Sequence, residues 1–173
     1  MFDVIQRLEA IGVPYMLTGS MAANLYVPPR MTRDLYLVVE IAPETLDRLV
    51  EAFPPGDFYL SATAAKEAVA NATCFNVIHT ASMVKVDMMV RKPAQYRLLE
   101  FSRRQQRQLD DRSLWVVSKE DLILSKLDWA RDSLSERQLE DSRNLLASGC
   151  DMNYLTTWSR NLHLTDMLTR VSA

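Results

Sequence analysis

The chain is poor in the residues that staple or anchor a fold. It has only two cysteines, Cys74 and Cys150, far apart and outside any CxxC or CxxH pattern. This argues against a disulfide framework or a zinc site and predicts two reduced, mostly buried thiols. Histidine is as scarce: His79 and His163 stand alone, without metal-ligand company. No apolar run is long enough to span a bilayer, so no membrane partner is expected. The opening MFDVIQRLEAIGVPY lacks the basic start and apolar core of a secretion signal, and a cytoplasmic location is expected by default. Charge of one sign is also missing. A net charge of −2 gives no global pull toward nucleic acid or anionic lipid.

What is present is an ordinary globular balance, 48% apolar and 24% charged over 173 residues, enough for one domain with a small appendage. Phe2 to Ile11 has the spacing of a short helix, ended by Gly12 and Pro14. Tyr15-Met16-Leu17 is a strand candidate, and Met21 to Tyr26 a helix that Ser20 is placed to cap. Asp34 to Ile41 alternates as a strand, and Pro43 to Phe53 starts as a helix on its proline. Ala62 to Ala70 reads as helix, and Cys74–His79 with Met83–Val90 as a hairpin. Pro93 to Phe101 restarts helix, Arg103 to Asp110 is ambiguous, and Leu114 to Val117 is a short strand. From Ser118 onward the signals are helical, with starts at Ser118, Ser135, Asn153 and Thr165. The division expected is a mixed α/β domain over 1–112, a small mixed sheet flanked by helices, and a helical segment over 113–173 packed on it.

Three places carry chemistry. Gly19-Ser20 is a tight turn opening a helix, where free backbone amides suit a phosphate; it is also what any helix cap requires. Asp34 stands at a strand start directly after a loop, with Tyr36 two residues on and so on the same face. Asp87 lies within the strand Met83–Val90, on the face opposite Val84, Val86, Met88 and Val90. An aspartate there must meet a cation, an edge or a cleft, because burying it unpaired is costly.

In this order and spacing the residues resemble the nucleotidyltransferase superfamily with the DNA polymerase β-type fold. That family's pattern is Gly-Ser, then Asp-x-Asp, then a third Asp on a neighbouring strand. The tail, with Ser-Lys-Leu at 125–127 and Glu-Asp-Ser at 140–142, resembles a bacterial branch that includes toxin-type members of toxin–antitoxin systems. The resemblance implies Mg²⁺ held by Asp34 and Asp87, and an NTP contacted by Gly19, Ser20, Thr32, Arg33 and Lys126. It adds Lys126 and Asp141 to the catalytic set beside Asp34 and Asp87. The acceptor stays open between a protein, an RNA and a small molecule, with an antitoxin protein as a further partner. Two divalent ions would hold the attacking and leaving oxygens of the transferred phosphoryl group.

The chain departs from the pattern at its second carboxylate, which is Tyr36. A phenol is neutral near pH 7 and a weak metal ligand. Two readings follow: a nucleotidyltransferase impaired at its metal site, or the same fold acting by binding a nucleotide or a partner. Lys126 also reads as a snorkelling helix lysine, and Asp141 as the surface partner of Arg137. The basic stretch Arg91, Lys92, Arg97, Arg103, Arg104 and Arg107 reads as solvated surface, and Trp115, Trp129 and Trp158 as packing residues.

Overall fold

The alternation and helical periods assemble into one mixed sheet with helices against it. The structure, a computed structural model, describes residues 2–32 and 34–172. Its strands are β1 (Tyr15–Thr18), β2 (Leu35–Val39), β3 (Phe58–Leu60), β4 (Cys74–His79), β5 (Val84–Val90), β6 (Gln105–Leu109) and β7 (Arg112–Val116). They lie in the order β3-β4-β5-β2-β1-β7-β6. β5 runs parallel to β2, and β7 parallel to β1; every other pair is antiparallel. The helices are α1 (Phe2–Ala10), α2 (Gly19–Ala23), α3 (Leu46–Ala52), α4 (Ala62–Asn71), α5 (Gln95–Ser102), α6 (Lys119–Ser133), α7 (Glu136–Ala147), α8 (Met152–Asn161) and α9 (Thr165–Ser172). No helix among the described residues is long and apolar enough to cross a membrane.

Side-chain period sets which face is buried. In β2, Leu35, Leu37 and Val39 enter the core while Tyr36 and Val38 stay half-buried. In β5, Val86, Met88 and Val90 do the same. β1 is buried along its whole length, as suits a central strand covered on both faces. α6 buries Leu122, Ile123, Leu124, Leu127 and Ala130, because α2, α7, α8 and α9 surround it.

Several sequence readings change. Ser20 does not cap α2. The helix opens two residues earlier, at Gly19, and Thr18 is its N-cap without a side-chain bond. The expected helix Pro43–Phe53 splits into a 3₁₀ turn, Pro43–Thr45, and α3. The ambiguous polar stretch is β6, an edge strand; its Gln and Arg side chains face solvent, so it has no apolar alternation to read. β3 follows the Pro54-Pro55-Gly56 breaker and was not foreseen, being only three residues long. Cys74 is exposed, contrary to the expected burial, because β4 alternates exposed and buried positions from Cys74 onward; Cys150 is half-buried.

One carboxylate ties the tail to the sheet side. Asp121, with 0% exposure, accepts hydrogen bonds from Tyr96 Oη (3.0 Å) and Tyr154 Oη (2.6 Å) on one oxygen. Ser118 Oγ (2.6 Å) and Arg103 Nε (3.1 Å) donate to the other. The Ser118 hydroxyl in turn accepts from the Asp121 amide and caps α6. Burial raises the pKa of both tyrosines, and the adjacent carboxylate adds to it, so both hydroxyls stay protonated as donors. Asp121→Ala strands four donors at once. It should cost about 3–5 kcal/mol, the usual penalty for removing one side of a buried charge network. Urea unfolding checks this, and a loss below about 1 kcal/mol would show that the hub does not hold α5, α6 and α8 together.

Candidate active site

A cleft of about 830 Å³ lies between the sheet and the α6–α7 pair, walled by Thr18, Gly19, Ser20 and Tyr36 on one side and Lys126, Trp129 and Gln138 on the other. The turn at its floor is built on Gly19. Its φ is +70°, and a Cβ there would stand 2.8 Å from Tyr36 Cδ2. Glycine therefore meets two demands at once: the left-handed backbone that starts α2, and room for the Tyr36 ring lying against it.

Tyr36 sits at the centre of the polar groups. It is in register with Asp87 on the parallel strand β5, so the two side chains share a sheet face. Burial raises the pKa of its phenol, and the charges of Asp34 and Asp87 raise it further. Trp129 meets Tyr36 edge-on, with centroids 6.2 Å apart, and remains 50% exposed in the cleft wall. This tryptophan is therefore not the packing residue that the sequence suggested. Asp34 is exposed, one residue before β2. Asp87 is 7% exposed, and Lys85 Nζ stands 3.1 Å from its Oδ2.

A second group joins the turn to the helices. Arg30 grips Asp141 with Nε (2.8 Å) and Nη2 (2.7 Å), and Nη2 also donates to Ser20 Oγ at 2.6 Å. Lys126, 3% exposed, donates to the same Asp141 Oδ2 at 2.7 Å and to Gln138 Oε1 at 3.0 Å. Burial would lift the Asp141 pKa, but the bonds from Arg30 and Lys126 outweigh it and hold the carboxyl below its ordinary value. Burial lowers the pKa of Lys126, and Asp141 opposes that. Arg137, the expected surface partner, makes no ion pair with Asp141; the carboxylate is turned inward to Arg30 and Lys126. Lys126 is likewise enclosed at the cleft rather than snorkelling to open water.

The far wall carries a third cluster. Arg97 Nη1 donates to Glu100 Oε2 and to Ser125 Oγ, and Nη2 to Asp128 Oδ2, each at 2.9 Å. Ser125 Oγ donates to Glu100 Oε1 at 2.6 Å. Burial raises the pKa of Glu100, with Arg97 and Ser125 opposing. Arg97 is thus part of the cleft and not plain solvated surface. Arg103 and Arg104 are also engaged, stacked over Tyr154 and over Phe101 and Trp115.

Of the residues singled out from sequence, Gly19, Ser20, Thr32, Asp34 and Lys126 line the cleft, with Asp87 and Asp141 directly behind them. Arg33 lies outside the described residues. Arg30, Lys85, Glu100 and Trp129 were missed as members of the site. Arg30 sits in a proline loop that carries no periodic signal, and the others become neighbours only through the fold. As a metal site the donor set is thin. Among the described residues no three His, Cys, Asp or Glu side chains group to hold an ion. Asp34 and Asp87 suit one hard cation that keeps waters as its other ligands; Tyr36 offers no charge for a second.

No protein-family model matches the sequence, and no curated protein matches it. Solved structures match by shape. A lincosamide antibiotic adenylyltransferase, LnuA, bound to lincomycin, is 13% identical with a TM-score of 0.59, covering 85% of this chain and 94% of that one. ANT(2″)-Ia in complex with adenylyl-2″-tobramycin is 12% identical with a TM-score of 0.59, covering 99% and 96%. The solution structure of the antibiotic-resistance factor ANT(2″)-Ia gives 12% and 0.56. The chain has the nucleotidyltransferase fold.

The Arg30–Asp141–Lys126 clamp predicts a pH signature. A depressed folded pKa means that the stabilisation is complete above the unfolded value, near 3.8, and is lost as pH falls through the lower folded value. Asp141→Asn should therefore unfold about 2–4 kcal/mol more easily at neutral pH, leaving Lys126 buried without its counter-charge. The gap to the parent should close as pH drops below about 4. A gap independent of pH would mean that the ionised carboxylate is not the stabilising species.

Proposed function

We propose that the chain binds an NTP with Mg²⁺ in this cleft and transfers the nucleotidyl group to a small-molecule acceptor. The observation that supports the reading is convergence: the Gly19-Ser20 turn, Asp34 and Lys126 come from distant parts of the sequence to line one cleft, with Asp87 in register beside the cleft-lining Tyr36. Acceptors of the class of lincomycin or tobramycin, held by the structures of similar shape, set the scale of the second substrate. A toxin role with an antitoxin partner is a narrower form of the reading, resting on the tail resemblance alone.

The roles follow from charge and position. The acceptor hydroxyl oxygen attacks the α-phosphorus and gives up its proton to water, the bond from the α-phosphorus to the bridging oxygen breaks, and pyrophosphate leaves. Asp34 and Asp87 would hold the Mg²⁺, which would supply positive charge against the phosphoryl oxygens. α2 is only five residues long, so the positive charge at the turn comes mainly from Arg30 and Lys126, which flank Ser20 and the cleft. Lys126 is preorganised: Asp141 and Gln138 fix its ammonium before any phosphate arrives. Trp129 offers an exposed aromatic face beside Tyr36 on which a base or an acceptor ring can lie.

Tyr36 supports a second reading, binding without turnover, because it stands where a carboxylate would complete the ligand set. The test compares the parent with Tyr36→Asp in a labelled-nucleotide transfer assay and a titration with Mg²⁺ and each NTP. The parent should transfer slowly, and the aspartate variant faster by about tenfold or more. Equal, rapid transfer by both would overturn the incomplete-site reading. NTP binding with no transfer by either would favour the binding reading.

A further inference from the structure

Asp87 is almost buried, and a buried carboxylate needs a counter-charge. In this fold the expected counter-charge is a divalent ion, yet the chain supplies one of its own. Lys85 lies two residues before Asp87 on β5, so both side chains rise from the same sheet face. Its ammonium stands 3.1 Å from Asp87 Oδ2. A cation thus sits against one of the two carboxylates that would ligate a metal, on the face that Tyr36 shares.

We propose that Lys85 is an internal cation that competes with a divalent ion for Asp87 and keeps the free chain's metal affinity low. The inference rests on reading Asp34 and Asp87 as the ion's ligands. The carboxylate oxygen that Lys85 engages is one an incoming ion needs, and ammonium and dication repel at this range. The Lys85 side chain is 46% exposed, so the pair is exchangeable rather than locked, and competition lowers affinity without abolishing it. A lysine that merely neutralised Asp87 for the sake of the fold would affect stability and leave metal binding unchanged.

The test uses Mn²⁺ alone, without nucleotide, and follows free ion by electron paramagnetic resonance. A chain that never transfers nucleotide still gives a result, so failure here is distinguishable from failure of the transferase reading. Lys85→Met should bind Mn²⁺ roughly tenfold tighter than the parent, because one repelling charge a few ångströms away is gone. Lys85→Arg, which keeps the cation, should bind no tighter than the parent. Adding Asp87→Asn to Lys85→Met should erase the gain. Lys85→Gln, which keeps most of the stem, serves if the methionine variant folds poorly. Equal Mn²⁺ affinity in the parent and the charge-removed variants, or a gain that survives Asp87→Asn, overturns the proposal.

Discussion

The cleft exists because one carboxylate, Asp141, holds two cations from different parts of the chain. Arg30 comes from the loop after α2, Lys126 from the middle of α6, and Asp141 from α7. The bidentate grip on Arg30 joins that loop to α7, beside the bond from Tyr26 Oη to the Val117 carbonyl, and the same guanidinium fixes the Ser20 hydroxyl. The same carboxylate permits Lys126 to be charged and enclosed, a state that otherwise carries a large desolvation cost. Fold and chemistry are joined here. In the proposed reading, the groups that order the cleft are also the ones that meet phosphate.

Two further buried carboxylates serve different ends. Asp121 is fully buried, is satisfied by four donors, and ties α6 to α5 and α8. Glu100 is held by Arg97 and Ser125 but borders the cleft, and burial keeps its pKa raised. The first is a closed network with no capacity left for a ligand. The second faces space, so an arriving cation or hydroxyl meets a carboxylate already partly desolvated.

The sequence was most legible where local signals and tertiary packing agree. Alternation placed β2, β4 and β5, and the Ser118 start of α6 matches the hydroxyl that caps it. Gly19 and Asp34 stood out because turn and strand end each leave a local mark, whereas Lys126 entered through the family resemblance, its helix stripe alone reading as a snorkelling lysine. Arg30 and Lys85 leave none. An arginine after two prolines and a lysine in an alternating strand look like solvated charges until the fold gives them partners. β6 failed for a related reason: an all-polar edge strand is specified by its pairing with β7, not by its own side chains. Trp129 failed because aromatic residues usually pack, and only the position of α6 over the sheet shows that this one faces the cleft.

Tyr36 is more than a missing carboxylate, because its ring has been fitted. It rests on Gly19, where any side chain would collide with it, and meets Trp129 edge-on. An aspartate at this position fills far less space and leaves Gly19 and Trp129 uncovered. The phenol also removes one negative charge from a neighbourhood where Lys85 adds a positive one beside Asp87. Both changes act in the same direction: each reduces what a dication gains by entering. A site losing a ligand by drift alone would keep an unpaired, nearly buried Asp87, at a cost of several kcal/mol. Here the carboxylate is paired, the ring is packed, and the turn accommodates both, so the chain itself meets the charge and fills the space around Tyr36.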